Sequence, residues 1–253
     1  MLLPVGDSPN LPRTPWLTWA LIAANVAVYL LLWPLAYQAA NPRDPAVREY
    51  VEVLAAERGV VPRAVSRADL VRFEHGTRPR ELSLADAFTS MFLHGGLMHL
   101  AGNMLFLWIF GDNVEDRLGH LRFGLFYLLC GYAATFAHAL AGPGSTVPSI
   151  GASGAIAGVL GAYVFLYPQA RIVTLIFLGF FITTVELPAL IYLPLWFLMQ
   201  FFSGLISLGA ETSAQGGVAW FAHIGGFIAG PLFLVLLGGR RPRRPPPPRV
   251  VIE

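Results

Sequence analysis

A serine surrounded by small residues is the first position in this chain whose setting suggests chemistry. Ser153 lies in the segment Gly-Ala-Ser-Gly, inside the apolar stretch from Pro148 to Phe165. A serine hydroxyl becomes a nucleophile when a neighbouring base takes its proton, and histidine, with a pKa near 6.5, suits that task. His223, in the segment Ala-His-Ile-Gly-Gly, is the candidate base. The competing interpretation is that Ser153 only allows close helix packing.

Two more polar residues could complete a site for acyl transfer. His99 and Asn103 are four residues apart, so they share one face of a helix, and both can donate hydrogen bonds. Ser153 is predicted near a helix N-terminus, where backbone N–H groups have no partner within the helix. Together these donors predict an oxyanion hole. Because no acidic residue is expected at the same depth, the arrangement predicts a Ser–His dyad rather than a triad.

The composition predicts that membrane-spanning helices position these residues. Of 253 residues, 55% are hydrophobic and only 13% are charged, whereas soluble domains have about 25% charged residues. A spanning helix needs roughly 20 mostly apolar residues. Six runs of the chain meet this requirement: Trp16–Leu35, Ala87–Phe110, Leu121–Ala141, Ile150–Tyr167, Leu187–Leu208 and Val218–Leu237. The shorter run Ile172–Val185 is predicted to be interfacial or re-entrant before the fifth span.

The distribution of charge predicts the orientation and the domain boundaries. Arg13 precedes the first span and five arginines lie in the tail, so the positive-inside rule places both termini in the cytoplasm. We therefore predict a cytoplasmic N-terminus over 1–15, a membrane domain over 16–237 and a Pro/Arg-rich cytoplasmic tail over 238–253. Residues 41–86 form a long external loop, in which the segment REYVEVLAAERG has helical spacing. The turn GDNVEDRLGH, 111–120, is predicted to connect the second and third spans.

The parity of six spans predicts that the polar residues meet. The second, fourth and sixth spans run from outside to inside, which brings His94, His99, Asn103, Ser153 and His223 to comparable depth in the outer part of the bilayer. The fourth and sixth spans also carry small residues every four positions, which allow transmembrane backbones to approach closely. These stripes are Gly154, Gly158 and Ala162 on the fourth span, and Ala222, Gly226 and Gly230 on the sixth.

Other classes of function receive little support from the sequence. His94 and His99 lie about 140° apart around a helix and no cysteine or second carboxylate joins them, so we expect neither a metal nor a cofactor. The net charge of +2 gives no indication of a nucleic-acid partner. Cys130 is the only cysteine, so no internal disulfide can form. The oligomeric state is left open.

Three motifs in this order resemble the rhomboid family of intramembrane serine proteases. They are HGGLMHLAGN, which resembles the family's His-x4-His-x3-Asn, GASG, which resembles Gly-x-Ser-Gly, and AHIGG, which resembles Ala-His-x-x-Gly. The resemblance implies an all-α membrane protein, a rhomboid-like bundle of six transmembrane helices. It implies that Ser153 is the nucleophile and His223 the general base, and that His99, Asn103 and the Ser153 N–H line the oxyanion hole.

The same resemblance assigns supporting roles. His94 would hold the loop and the helix start in place, Gly151 and Gly154 flank the nucleophile, and Glu115 would be structural. The second and fifth spans would form a lateral entrance for substrate, with the loop Gly209–Gly217 as a mobile cap. Many relatives carry a Trp-Arg pair in the first external loop, and this chain has none between 41 and 86.

We therefore predict a serine endopeptidase that cleaves transmembrane segments of membrane proteins near the outer face of a bilayer, most consistent with a prokaryotic plasma membrane. The main alternative is a catalytically inactive rhomboid-like protein that binds membrane clients. A transporter would predict internal repeats and broken helices at mid-depth, and neither is visible. A purely structural scaffold would leave the shared depth of Ser153 and His223 unexplained.

Overall fold

A computed structural model describes residues 2–8, 13–178, 181–209 and 219–239. The described chain is mostly helical, as predicted, with a small sheet that the sequence did not predict. Its elements in chain order are β1 (Leu2–Ser8), α1 (Trp16–Leu32), a 3₁₀ helix (Pro34–Tyr37), α2 (Pro45–Arg58), α3 (Arg67–His75), a 3₁₀ helix (Pro79–Glu81), α4 (Leu84–Ser90), α5 (Leu97–Leu118), α6 (His120–Ala141), α7 (Ser153–Leu166), β2 (Arg171–Leu178), β3 (Phe181–Pro188), α8 (Ala189–Gly209) and α9 (Trp220–Leu236).

Helix α7 is the centre of the bundle. Every residue from Gly154 to Tyr163 is buried, and α5, α6 and α9 pack around it. The helix can be enclosed on all sides because its surface consists largely of glycine and alanine, which let neighbouring backbones approach. Its 14 residues correspond to a length of about 21 Å, so α7 is shorter than its neighbours.

The predicted second span is divided differently from our expectation. Instead of one helix over Ala87–Phe110, α4 ends at Ser90 and α5 begins at Leu97, with a non-helical turn between them. Helix α5 then continues through the predicted turn at 111–120 as far as Leu118. The break falls at Gly119, whose φ of 76° lies in the region that favours glycine.

The prediction of a turn failed because it treated the charged residues near 115 as solvent-exposed. Glu115 is 1% exposed and accepts hydrogen bonds from the backbone N–H groups of Leu17 and Thr18 and from the Thr18 hydroxyl. Its other partner is the Nδ1 atom of His120. A carboxylate at a helix N-terminus accepts hydrogen bonds from N–H groups that have no partner in the helix, and its negative charge interacts favourably with the helix dipole. Glu115 on α5 therefore fixes the start of α1, which agrees with a structural role.

The segment 41–86 forms a helical layer rather than an open loop. The segment predicted to be helical forms α2, which begins after the N-cap Asp44 and ends at Gly59 in the left-handed conformation. Helix α3 begins with a capping box between Ser66 and Asp69. An antiparallel bridge joins Thr77 to Ser149, so this layer is attached to the loop that leads into α7.

The described residues of the run 172–185 form strands. Strands β2 and β3 pair as an antiparallel hairpin, and the N-terminal strand β1 pairs with β2, which gives a sheet of order β1-β2-β3. No secondary structure was predicted for 2–8, which belong to the expected cytoplasmic N-terminus over 1–15. Asp7 on β1 accepts hydrogen bonds from Tyr163 on α7 and Asn113 on α5. These long-range contacts fix the strand.

Helix length and composition agree only in part with six spans. Among the described residues, two helices are long and apolar enough to cross a membrane, Trp16–Tyr37 and His120–Ala141. Three others are apolar but shorter: Ser153–Leu166, Ala189–Met199 and Trp220–Leu236. Helix α5 has 22 residues but carries charged residues in its last turns. The predicted cap Gly209–Gly217 and tail 238–253 lie almost entirely outside the described residues.

Candidate active site

The structure brings Ser153 and His223 into contact. Ser153 is the first residue of α7 and His223 lies in the first turn of α9. The Oγ atom of Ser153 and the Nε2 atom of His223 are 2.7 Å apart, a normal hydrogen-bond distance. In the tautomer with unprotonated Nε2, the hydroxyl donates to the imidazole, which is the direction of proton transfer that activates a serine.

The predicted stripes of small residues produce this contact. A Cβ atom added to Gly226 would lie 2.0 Å from the carbonyl oxygen of Gly154, and one added to Gly230 would lie 2.0 Å from that of Gly158. Helices α7 and α9 therefore touch backbone to backbone, and the prediction of packed stripes is confirmed. His223 is 8% exposed.

Two tryptophans surround the imidazole of His223. The ring of Trp196 on α8 lies 5.9 Å from it, centroid to centroid, and the ring of Trp220 lies 6.2 Å away at 90°. These bulky rings limit the rotamers that His223 can adopt, which favours the orientation toward Ser153. Neither tryptophan could be assigned to the site from the sequence, because aromatic residues occur in every predicted span of this chain.

The predicted oxyanion donors lie beside the backbone that precedes Ser153. Gly151 has a φ of 125°, and a Cβ atom there would lie 2.8 Å from the Nε2 atom of His99 and 3.6 Å from the Nδ2 atom of Asn103. The N–H of Gly151 donates to the carbonyl oxygen of Ser90 at 2.8 Å. A glycine is therefore required at 151 for two reasons, the backbone conformation and the space that the ring of His99 occupies.

His94 lies in the turn before α5, not within a helix as predicted. It is 1% exposed, and its Nε2 atom is 2.9 Å from the Nδ2 atom of Asn103. Its carbonyl oxygen accepts a hydrogen bond of 3.0 Å from the Nε atom of Arg72 on α3. His94 thus holds a candidate donor as well as the turn. Arg72 could not be singled out from the sequence, since it is one of eight arginines in the polar segment 41–86.

These residues open into a common cavity of about 640 Å³. Helix α5 contributes His99 and Asn103, α7 contributes Ser153, and α9 contributes His223; Trp196 forms part of the wall. A volume in this range is typical of sites that bind small molecules or short peptide segments. A nucleophile, a base and donors on one cavity can perform acyl transfer, in which a carbonyl carbon is attacked and its oxygen becomes negative.

The described residues contain no group of three or more His, Cys, Asp or Glu side chains that could hold a metal ion. His94 and His99 are in edge contact, with ring centroids 5.0 Å apart, but no third ligand of this kind joins them. The expectation of no metal and no cofactor stays a prediction.

Comparisons with known proteins bear on the class of protein. Residues 81–240 match the sequence model of a family described as "Rhomboid domain". RHOMBOID-like protein 4 of Arabidopsis thaliana is 33% identical over 147 residues, which cover 57% of this chain and 32% of that protein. Rhomboid protein 1, mitochondrial, of Saccharomyces cerevisiae is 38% identical over 92 residues, 35% of this chain and 27% of that protein.

A bacterial protein is also similar. Rhomboid protease GluP of Bacillus subtilis is 45% identical over 78 residues, 31% of this chain and 15% of that protein. The matched part of the chain thus spans about a third or less of the length of these relatives. Since the family match covers more than half of the chain, the protein belongs to the rhomboid family, whose members are integral to membranes.

Proposed function

We propose that this protein is an intramembrane serine endopeptidase that cleaves transmembrane segments of membrane proteins with a Ser153–His223 dyad. The observation that supports this most directly is the 2.7 Å contact between Ser153 Oγ and His223 Nε2 at the wall of a cavity. A contact between an alcohol and an imidazole that are 70 positions apart has a simple explanation if the imidazole activates the alcohol. The similarity to a relative named a rhomboid protease agrees with the proposal.

The mechanism follows from the positions of the four polar side chains. Ser153 Oγ attacks the carbonyl carbon of the scissile peptide bond while His223 Nε2 takes the hydroxyl proton. His99, Asn103 and the N–H of Ser153 donate to the oxygen of the tetrahedral intermediate. The carbon–nitrogen bond then breaks as His223 returns the proton to the leaving amine. A water molecule then attacks the ester carbonyl as His223 takes its proton; the bond between the acyl carbon and Ser153 Oγ breaks, and His223 returns the proton to Oγ.

The short length of α7 supports placing the reaction below the membrane surface. A helix of about 21 Å cannot cross a hydrocarbon core of about 30 Å from end to end. If α1, α5, α6, α7, α8 and α9 are the six spans, α7 must start or end inside the bilayer. A start at Ser153 beneath the outer face would leave a recessed, water-accessible cavity, as hydrolysis requires.

The substrate is proposed to be a transmembrane helix that enters from the side. The candidate entrance lies between α5 and α8, where the ring centroids of Phe106 and Trp196 are 6.2 Å apart. Peptide carbonyls inside a helix are already hydrogen-bonded and shielded, so the substrate must unwind near its outer end before attack. Segments with small or helix-breaking residues at that depth are therefore the expected substrates.

The orientation and the membrane belong to the same proposal. Both termini are placed in the cytoplasm by their arginines, and 41–86 on the outside. A prokaryotic plasma membrane stays a prediction, since the similar proteins include plant and mitochondrial members as well as a bacterial one.

The experiment is cleavage of a panel of single-span proteins, reconstituted with the wild type, Ser153→Ala or Ser149→Ala. Ser149 is the matched control because its contacts with Thr77 are made by the backbone and survive the substitution. We expect cleavage by the wild type and by Ser149→Ala, and none by Ser153→Ala. Full activity of Ser153→Ala would refute the dyad. Failure of a fluorophosphonate to label Ser153 in a folded wild type would instead favour the inactive, client-binding alternative.

A further inference from the structure

We propose that Arg72, on the external helix α3, is a positioning residue for acyl transfer that holds the oxyanion donor Asn103 in place through His94. The inference rests on the proposed function, because positioning affects catalysis only if Ser153 is the nucleophile. It adds to that function a requirement for the external segment 41–86, whose sequence lacks the Trp-Arg pair expected from the family resemblance.

The first contact, between Arg72 and His94, fixes the backbone of the turn before α5. The Nε atom of Arg72 donates to the carbonyl oxygen of His94 at 3.0 Å, and its Nη1 atom lies 3.1 Å from the Oδ1 atom of Asp69. The Arg72 side chain is only 16% exposed. Asp69 is itself fixed by the capping box of α3. The planar guanidinium of Arg72 is therefore held by Asp69 on one side while it donates to His94 on the other.

The second contact joins His94, in this turn, to the oxyanion donor Asn103. The buried ring of His94 accepts a hydrogen bond of 2.9 Å from Asn103 Nδ2. An amide nitrogen carries two hydrogens, so this bond leaves one for the oxygen of the intermediate. The ring of His94 also lies 5.0 Å from that of His99, edge to face. Both side-chain donors therefore depend on the residue that Arg72 holds.

Arg72 affects the rate through the position of Asn103 rather than through its own charge. The backbone hydrogen bonds that follow α4 end with the bond from Leu93 N–H to Ser90, so the bond from Arg72 constrains His94 just where that series stops. A displacement of about 1 Å at a catalytic group can cost on the order of 10²-fold in rate. Arg72 does not reach the cavity itself, since it does not line the volume that Ser153 and His223 share.

The test compares Arg72→Gln with Arg78→Gln, using full-length protein and a cleaved transmembrane reporter. Arg78 is the matched control because it lies in the same external segment and pairs with Glu49 and Glu81 at 3.0 Å. We expect Arg72→Gln to lower kcat by about 10-fold to 10²-fold with little change in KM. Arg78→Gln should retain a kcat within about twofold of the wild type, because Arg78 contacts the ring of Phe73 and two half-exposed carboxylates rather than His94, and such ion pairs are weak. Equal effects of the two substitutions would overturn the inference.

A double-mutant cycle separates positioning from a general loss of structure. If Arg72 acts through Asn103, Arg72→Gln should have almost no further effect on kcat in the Asn103→Ala background. An effect of the same size in both backgrounds would mean a merely structural role and would overturn the inference.

Two further outcomes are distinguishable. If Arg72→Gln does not fold, Arg72→Lys replaces it; lysine keeps the charge beside Asp69 but cannot bond both partners with a planar fork, and a wild-type kcat would contradict the inference. If cleavage by the wild type does not depend on Ser153, the proposed function fails and the inference fails with it. Ser153-dependent cleavage that is insensitive to Arg72 overturns the inference alone.

Discussion

The carbonyl oxygen of Gly154 lies where a side chain on Gly226 would have to go. A Cβ atom at Gly226 would be 2.0 Å from that oxygen and 3.3 Å from the Cβ atom of Ala157. The backbones of α7 and α9 are therefore in direct contact one residue beyond Ser153 and three beyond His223. This contact sets the distance between the two polar side chains, so the packing of glycines and the proposed chemistry are linked.

The first prediction concerns this contact. Gly226→Ala should force the two helices apart, lower the free energy of unfolding by about 1–3 kcal/mol and abolish cleavage. Denaturant titration in mixed micelles and the reporter assay measure the two effects. Gly102→Ala is the control for stability, because a Cβ atom there meets nothing within 4 Å, and alanine should stabilise α5 by up to about 1 kcal/mol. Equal stabilities of the two variants would contradict the packing argument.

The second prediction concerns the carboxylate that holds the start of α1. Glu115→Gln should lower the free energy of unfolding by about 3 kcal/mol, because an amide presents its own N–H groups to buried donors that the carboxylate had satisfied. The comparison is Asp116→Asn, whose carboxylate is 3.9 Å from the exposed Arg13 and should contribute less than about 1 kcal/mol. Denaturant titration of both variants tests this, and a neutral effect of Glu115→Gln would contradict it.

The third prediction is an acid-sensitive attachment of α2. Burial acts to raise the pKa of Glu57, but hydrogen bonds from Ser145 and Thr146 outweigh it and lower the pKa below 4.5. Because the pKa of Glu57 is lower in the folded state, its hydrogen bonds stabilise the attachment of α2 fully at a pH above the ordinary pKa. This stabilisation is lost as the pH falls through the lowered pKa.

Hydrogen exchange of the loop 142–149 measures this attachment. After correction for the intrinsic rate, exchange should accelerate below about pH 4.5 in the wild type. In Glu57→Gln the loop should exchange faster at neutral pH and show little further change with acid. A loop with the same pH response in both proteins would rule out Glu57 as the titrating group.

The fourth prediction concerns the N-terminal strand β1, whose attachment should depend on pH in the opposite direction to that of α2. Burial raises the pKa of Asp7 to about 7, with a further increase from the charge of Asp112, although the hydrogen bond from Tyr163 lowers it. At pH values between the ordinary pKa of 3.8 and about 7, Asp7 therefore takes up a proton when β1 docks. The docked strand is most stable at low pH and loses this contribution as the pH rises through about 7.

Protection of the amides of Leu2–Ser8 provides the measurement. After correction for intrinsic exchange, these amides should be better protected at pH 5.5 than at pH 8.5. The two pH values lie roughly 1.5 units below and above the folded-state pKa of Asp7. Asp7→Asn keeps an acceptor for Tyr163 but cannot ionise, so its protection should be nearly independent of pH. A pH dependence that persists in Asp7→Asn would assign the effect to another group.

Much of the proposed site could be predicted before the structure. Small residues every four positions predicted the packing of α7 on α9, and the parity of six spans predicted that Ser153 and His223 would meet. Arg72 and Trp196 were missed for a common reason: each lies in a segment where its class of side chain, basic or aromatic, is frequent. Their importance comes from one neighbour, His94 or His223, which sequence spacing does not identify.

The sequence by itself determined the apolar runs, the faces of the helices and the polar residues that could react, because hydropathy and helical period are local properties of the chain. Tertiary structure alone decided where the predicted second span breaks, that 172–178, 181–185 and 2–8 form one sheet, and that Glu115 lies at the start of α1. Each of these depends on hydrogen bonds between distant positions, as between Leu17 and Glu115, 98 residues apart. Such bonds join residues that only the packing of the chain brings together, so no local pattern predicts them.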